Sequence, residues 1–187
     1  MGFDIYGLDP KKNSEKPEIL KRSPWEIQDE EVKNEWYEAQ RDWEYKNPGR
    51  YFRNNVWWWR PLWNWVCEIC QDVMTEGDQV AGWSNSGRQI TAETVDQMLD
   101  KLVPAIAEEL HKEYELSYKT RLEEMPLMKC DTCDGTGQRD DEYVKGDCNG
   151  CDGKGERPDW DTHYPFDHKN VEEFVSFLSE SGGIEIC

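Results

Sequence analysis

The chain has 187 residues, which suits one compact domain with a small appended module and allows a real hydrophobic core. Its 40 acidic and 22 basic residues give a formal net charge of −18, which argues against direct binding to nucleic-acid phosphates or anionic membrane surfaces. Ten tryptophans and eight tyrosines argue against general disorder, because such side chains supply burial. Neutral or basic partners are therefore expected, although solubility alone explains many acidic surfaces.

Neither secretion nor membrane insertion is expected from the sequence. Residues 1–8 have no basic flank followed by an apolar stretch, so they do not resemble a secretory signal. The longest aromatic run is interrupted by Arg60 and Pro61 and is too short to span a bilayer. We therefore expect a reducing cytoplasm, that of the host if the protein is viral, where paired Cys-x-x-Cys units are metal sites more often than disulfides.

The first quarter of the sequence predicts an irregular arm followed by one helix. Residues 1–22 mix Lys, Glu, Ser and Pro with little periodicity, so we expect a loop or arm there. Ser23 opens a capping-box pattern with Pro24 and Glu26, which predicts a helix from Ser23 to the breaker at 47–49. The buried stripe of this helix is expected to comprise Trp25, Val32, Trp36, Ala39 and Trp43.

The tryptophan-rich segment 51–65 is expected to begin as an extended or turning stretch. Pro61 suits the first position of a helix, so the sequence predicts a helix start there. Residues 77–87 are polar and punctuated by glycine, which predicts a loop. The buried face of the helix is expected to comprise Leu62, Val66, Ile69 and Val73.

Helix signals recur in the second half of the chain. Thr91 predicts the N-cap of a helix that Pro104 kinks or divides. Asp167 predicts the N-cap of a last helix, which Gly182 should stop, and residues 184–187 alternate like a short strand. The predicted apolar faces comprise Val95, Met98, Leu99, Leu102 and Ile106 in the first of these helices and Val171, Phe174, Val175 and Leu178 in the last.

Two copies of the pattern C-x-x-C-x-G-x-G lie between residues 130 and 155. Each Cys-x-x-Cys turn directs two thiolates to one side, so two turns supply the four sulfurs of a closed tetrahedral site. The first glycine of each copy permits the positive φ that such a turn needs, and the second lets the chain leave without a clash. The predicted ligands are Cys130, Cys133, Cys148 and Cys151. The predicted turn glycines are Gly135, Gly137, Gly153 and Gly155.

Four cysteine ligands leave no open position for water, so the sequence predicts one structural zinc ion and not a catalytic metal. Apparent binding energies of about 10–16 kcal/mol suffice to fold a hairpin that has almost no apolar core. Disulfides, free thiols, iron or an iron–sulfur cluster are the alternatives for the same cysteines. The cations expected to offset the negative charge of a zinc tetrathiolate are Lys129, Arg139, Lys145 and Lys154.

The repeated motif resembles the cysteine-rich domain of the DnaJ family and, with a single predicted zinc, the anti-TRAP-like proteins. This resemblance covers residues 130–155 and implies that the hairpin binds a protein partner or client. DnaJ-like proteins carry four copies and a His-Pro-Asp loop, whereas this chain has two copies and no such tripeptide, so a DnaK co-chaperone is not expected. Residues 51–65 and 164–187 also resemble uncharacterised bacteriophage and bacterial proteins, which implies no particular activity.

Three further cysteines lie outside the repeated motif. Cys67 and Cys70 form another Cys-x-x-Cys inside a predicted helix, and we interpret them as small buried residues. A redox pair would need its first cysteine at the start of a helix, where the thiol pKa is lowered. A second metal site that adds Cys187 and His163 or His168 is the other alternative.

Consecutive tryptophans cannot all face inward on one element, so at least one is a candidate anchor for a protein partner. Core packing and an aromatic ligand cleft are the other interpretations. The three histidines are expected at helix surfaces or in loops, and no catalytic constellation supports an enzyme. The candidate interaction surface comprises Trp57, Trp58, Trp59 and Arg60.

Together these patterns predict a mainly α-helical protein with an inserted zinc-bound hairpin. The expected parts are a Trp-rich helical domain (1–128), the cysteine hairpin (129–158) and a C-terminal helix and short strand that pack back on the helical domain (159–187). The predicted function is a zinc-stabilised adaptor that binds a protein partner through the hairpin and the aromatic surface. The alternatives are an acidic inhibitor of a basic nucleic-acid-binding site and a thiol oxidoreductase that uses Cys67 and Cys70.

Overall fold

A computed structural model of the protein describes residues 2–187. Its strands are β1 (Gly2–Gly7), β2 (Tyr51–Asn55), β3 (Arg88–Ile90), β4 (Met128–Lys129), β5 (Gln138–Asp140), β6 (Lys145–Asp147), β7 (Glu156–Arg157) and β8 (Ile184–Ile186). Its α-helices are α1 (Glu30–Lys46), α2 (Val56–Ile69), α3 (Glu76–Ala81), α4 (Ala92–Ala107), α5 (Leu110–Glu123) and α6 (His168–Ser181). Helices make up most of this regular structure, in agreement with the predicted mainly α class. Among residues 2–187, no helix combines the length and the apolar character that crossing a bilayer requires.

The chain folds as two compact units. The first unit comprises the chain up to Lys112 together with Asp167–Cys187, and the second comprises Glu113–Phe166. The first unit contains the larger sheet and α1 to α4 and α6, whereas the second contains the cysteine motif. The three-part division drawn from the sequence stays a prediction.

An antiparallel sheet in the order β2-β1-β8-β3 forms the framework of the first unit. Ile5 of β1 pairs with Ile186 of β8, and Ile184 of β8 pairs with Ile90 of β3. These isoleucines are almost completely buried, because alternate residues of a strand point to the same face. The prediction of an irregular arm over 1–22 was therefore wrong for its first residues, whose strand partners lie far away in the sequence.

The tryptophans of α2 form the centre of the core. Trp59 is 0% exposed and stacks on Phe3 at 5.3 Å and on Trp63 at 5.2 Å between ring centroids. Phe174 of α6 approaches the edge of Trp59 at 5.5 Å, and the indole Nε1 of Trp59 donates a 2.7 Å hydrogen bond to Gly82 O. The core interpretation of the tryptophan-rich segment is confirmed for Trp59 and Trp63.

The predicted starts of α1 and α2 were wrong, because a residue after Ser23 caps α1 and a residue before Pro61 caps α2. Ser23 caps only a short 3-10 turn, and α1 begins after Asp29, whose carboxylate accepts from two amides of the first turn. Asn55 caps α2, so the helix begins before Pro61, which lies within it. The predicted stripe of α1 is buried only at Trp43, whereas Trp25 is 87% exposed.

The predicted loop over 77–87 contains a helix. Thr75 and Asp78 form a capping box that starts α3, because each side chain accepts from the other residue's backbone amide. Three other predictions for this unit are confirmed: Thr91 and Asp167 are N-caps, and Gly182 ends α6 with φ 61°. Pro104 lies inside α4, which ends at Ala107. Glu109, where φ is 60°, lies between α4 and α5.

We predict that Trp59→Ala lowers the free energy of unfolding of the first unit by about 3–5 kcal/mol, because it removes a fully buried ring and leaves a cavity. The matched variant Trp25→Ala should cost under about 0.5 kcal/mol, since its side chain is largely in solvent. Chemical denaturation followed by tryptophan fluorescence measures both values. Equal losses in the two variants would contradict this placement of the core.

Asp78 links stability to acidic pH. Burial opposes its ionisation, but hydrogen bonds from Thr75 and an ion pair with Arg88 at 2.7 Å outweigh it and lower the pKa of its carboxyl. Because the pKa of Asp78 is lower in the folded state, its ionised carboxyl stabilises the fold at pH values above the unfolded-state pKa of about 3.9. This stabilisation is lost as the pH falls through the folded-state pKa. Asp78→Asn should therefore lower the free energy of unfolding by about 1–3 kcal/mol at neutral pH. The difference between wild type and variant should become smaller below about pH 4.

Urea denaturation of wild type and of the Asp78→Asn variant across about pH 2–7 tests this expectation, because this range spans the reference pKa of an aspartate carboxyl. Asp96→Asn removes the same charge from an exposed position of α4 and serves as the control. A gap between wild type and Asp78→Asn that does not change with pH would contradict the role of the ionised carboxylate.

Candidate metal centre

Four buried thiols converge within the second unit. The Sγ atoms of Cys130 and Cys148 are 4.0 Å apart, those of Cys133 and Cys151 are 3.7 Å apart, and all four lie within 4.8 Å of one another. A tetrahedral site with Zn–S bonds of about 2.3 Å requires sulfurs about 3.8 Å apart, which fits this arrangement. A disulfide requires about 2.05 Å, and the cysteines are free. These four cysteines, which we name the cysteine cluster, can hold a metal ion.

Each half of the cysteine cluster is shaped by the same amide contact. The amide of Gly137 donates to Cys133 Sγ at 3.3 Å, and the amide of Gly155 donates to Cys151 Sγ at 3.2 Å. Hydrogen bonds from amides stabilise a thiolate more than a thiol. The sequence predicted the four sulfurs but not these two donors, although the second glycine of each motif copy marks them.

The two halves also hold each other through the backbone. Cys130 N donates to Gly155 O at 2.8 Å, and Cys148 N donates to Gly137 O at 2.8 Å. The amide of the first cysteine in each copy is therefore hydrogen-bonded to the carbonyl of the last glycine in the other copy. This reciprocal pairing places the first cysteine of each copy beside its partner copy.

Glycine is required where the two halves approach each other. A Cβ at Gly137 would lie 2.4 Å from Gly153 O, and one at Gly155 would lie 2.5 Å from Gly135 O. All four glycines have positive φ between 73° and 79°, as predicted for Gly135 and Gly153. A methyl group at Gly137 or Gly155 would thus meet backbone atoms that cannot move aside independently.

Short strands frame the cysteine cluster. β4 pairs with β7, and β5 pairs with β6 as a hairpin. Asp141 shapes the hairpin turn by accepting hydrogen bonds from the amides of Tyr143 and Val144 at 2.8 and 2.9 Å. Between residues 128 and 157 the buried residues are the four cysteines and two glycines, Gly137 and Gly155. The segment therefore has no apolar core apart from its own sulfur atoms.

The thiols of the cysteine cluster ionise unequally. Burial opposes ionisation of Cys133, but the Gly137 amide and the other three thiols outweigh it and lower its pKa to about 6. Burial and the same neighbouring thiols raise the pKa of Cys151 to about 11. Of these two thiols, Cys133 is therefore the one that ionises more readily, and a cation close to the sulfurs would favour ionisation of Cys151.

Two of the four cations expected near the cysteine cluster form ion pairs with carboxylates. Lys129 forms an ion pair with Asp134, and Arg139 pairs with Asp141 at 2.5 Å. Arg139 also donates to Asn149 at 2.8 Å, so it crosses the hairpin. These contacts link residues of the loops around the cluster, and each of the two cations is paired with a carboxylate.

The other cysteines do not join a metal-ligand group among residues 2–187. Burial raises the pKa of the Cys67 and Cys70 thiols to about 12 each, and Cys70 Sγ lies 3.8 Å from Met98 O as a donor. A protonated pair, of which Cys70 is buried and Cys67 is half-buried, is a poor nucleophile, which argues against the thiol oxidoreductase alternative. Cys187 follows β8 and is half-buried.

The candidate aromatic surface is only partly at the surface. Trp57 is 40% exposed, Trp58 is half-buried and Trp59 is fully buried. The guanidinium of Arg60 lies 5.8 Å from the ring of Trp83. Trp59 therefore belongs to the core, and Trp57 is the most exposed of the three consecutive tryptophans.

The expectation that the histidines lie at helix surfaces or in loops was wrong for His111. Its ring is buried, and its Nε2 lies 3.0 Å from Glu172 Oε1 on α6. This hydrogen bond outweighs burial and lowers the pKa of the Glu172 carboxyl. The burial of His111 could not be predicted from local sequence, because its contact with Glu172 joins positions far apart in the chain.

The comparisons with known proteins add no relative. The chain matches no protein-family model, no curated protein and no solved structure. The function must therefore be argued from the residues themselves.

We predict that Gly137→Ala disorders the cysteine segment, because the added methyl group meets Gly153 O and the residue has φ 73°. Hydrogen exchange of the Cys130 and Cys148 amides should speed up at least about tenfold relative to wild type. Gly146→Ala is the control, since Gly146 also has positive φ but has no atom within 4 Å of the added group. Equal exchange in the two variants would contradict the steric argument.

Proposed function

We propose that the cysteine cluster binds one structural zinc ion, and that this ion orders residues 129–158 as a module for binding another protein. The observation that carries the proposal is the convergence of four buried thiols in a segment with no other core. Without a cation, a segment this polar has little burial to offset the entropy lost on ordering. A metal held by four thiolates supplies that stabilisation directly.

Zinc fits the donor set better than its alternatives. Four soft thiolates in tetrahedral geometry suit zinc or iron, and they do not suit magnesium or calcium, which prefer oxygen ligands. The site has no open coordination position, which favours a structural role over a catalytic one. The ligands would be Cys130, Cys133, Cys148 and Cys151.

Exposed apolar side chains beside the cysteine cluster support a protein partner. Tyr143 at the hairpin turn is 82% exposed, and Trp160 just after β7 is 56% exposed. Trp160, Met128 and Arg157 line one shallow cavity of 230 Å³, in which the Arg157 guanidinium lies 4.9 Å from the Trp160 ring. Tryptophan, arginine and methionine are enriched where protein interfaces are tightest, so this group suits the role of an anchor.

The zinc proposal predicts one zinc ion per chain. Native mass spectrometry and metal analysis of reduced protein should find this stoichiometry, and Cys130→Ser should lower zinc affinity by at least about a hundredfold. Cys187→Ser is the control and should keep full occupancy, because that thiol lies outside the cluster. Iron in place of zinc would revise the metal, and ordered residues 130–155 in metal-free protein would refute the structural role.

The partner proposal predicts that zinc-loaded protein captures a partner from cells that make it. Trp160→Ala should weaken capture at least about tenfold, as expected for a central interface anchor. Tyr45→Ala removes an aromatic ring that is 86% exposed on α1 and should leave capture unchanged. Trp57→Ala tests the second exposed anchor, and capture unaffected by both tryptophan variants would contradict the adaptor role.

A further inference from the structure

A second candidate site lies in the first unit, apart from the cysteines. It is a cleft of 450 Å³, a volume in the range of small-molecule sites. Three parts of the chain form its walls: the segment after β1, the last turns of α1 and the start of β2. The residues that matter for its chemistry are Tyr6, Lys16, Trp43, Glu44, Arg50 and Tyr51.

The segment after β1 fixes the shape of the cleft. Asp9 N and Lys11 N donate to Ser181 O and Glu180 O, so they satisfy carbonyls at the end of α6. Farther along, the amide of Ser14 donates to Asn47 Oδ1 at 2.7 Å, and Asn47 also donates to Trp43 O at 2.7 Å. Carbonyls at the ends of both α6 and α1 therefore accept hydrogen bonds.

Two cations of the cleft have no carboxylate partner among residues 2–187. Lys16 Nζ lies 5.8 Å from the Trp43 ring centroid, and the Arg50 guanidinium lies 4.8 Å from it. The hydrogen bond of Arg50 goes to the neutral side chain of Asn13 at 2.6 Å. In a chain with a net charge of −18, two cations converging on one cleft without an acidic partner are an unusual concentration of donors.

An aromatic platform lies beside these cations. Tyr6 is 44% exposed, and its ring lies 5.3 Å from that of Tyr51. The Tyr51 hydroxyl donates to Asp4, so this carboxylate is occupied. Glu44, the acidic residue of the wall, accepts a hydrogen bond from Gln40. The cleft thus offers a tyrosine face and donors from Lys16 and Arg50, with Glu44 as the one carboxylate among its described lining residues.

We propose that this cleft binds a small planar anion, in which a ring stacks on Tyr6 and a phosphate or carboxylate contacts Lys16 and Arg50. Charge-assisted hydrogen bonds to two cations select the anion, and the aromatic face selects the ring. The cleft belongs wholly to the first unit, so binding does not depend on the zinc proposal.

Isothermal titration of the full chain tests the proposal with four probes: adenosine monophosphate, naphthoate, adenosine and inorganic phosphate. At least one of the two ring-bearing anions should bind, and whichever binds identifies the anion as phosphate or carboxylate. Adenosine and inorganic phosphate should bind at least about tenfold more weakly, because each lacks one of the two recognition features. Added salt should weaken the binding.

Lys16→Gln and Arg50→Gln should each weaken binding of the successful probe by about tenfold or more. Lys12→Gln removes the same charge from a neighbouring position outside the cleft and should change the affinity by less than about twofold. An unchanged unfolding midpoint in each variant excludes loss of the fold. Failure of both ring-bearing anions, or equal effects of Lys12→Gln and Lys16→Gln, would overturn the proposal.

Discussion

Convergence of four thiols within 4.8 Å is the constraint on which the segment between β4 and β7 depends. Its strands are two or three residues long, and such short pairs are not stable by themselves. The amides of Gly137 and Gly155 point at sulfur, and the carbonyls of the same residues receive the amides of the opposite copy. The same two glycines thus contact the sulfurs through their amides and the opposite copy through their carbonyls, which couples the cysteine cluster to the local fold.

The first unit is stabilised by different means. Its centre is a group of stacked aromatic rings around Trp59, and the isoleucines of β1, β8 and β3 are buried in the same unit. Burial of such rings supplies most of the stabilisation in an ordinary core. One chain therefore combines a unit ordered by apolar contact with a segment that lacks an apolar core. The acidic surface is common to both and is compatible with each, because charge of this kind governs solubility more than fold.

Local signals in the sequence were sufficient for some features and insufficient for others. The cysteine spacing, the N-caps Thr91 and Asp167 and the terminator Gly182 act over a few residues, and the structure places them as predicted. The sheet could not be predicted in this way, because β1 pairs with strands from distant parts of the chain. The cleft near Trp43 was missed for the same reason. The glycines within 77–87 suggested a loop, so the capping box that Thr75 and Asp78 form at the start of α3 was not predicted.

The sheet order β2-β1-β8-β3 places the two ends of the chain side by side in its middle. β8 is the last strand of this sheet to be synthesised. The sheet of the first unit is therefore completed only after β8 has been synthesised, whereas the cysteine segment precedes β8 and its backbone pairs span fewer residues than the pairing of β1 with β8. A nascent chain that stalls before residue 184 would leave β1 and β3 with open edges that can pair with other molecules.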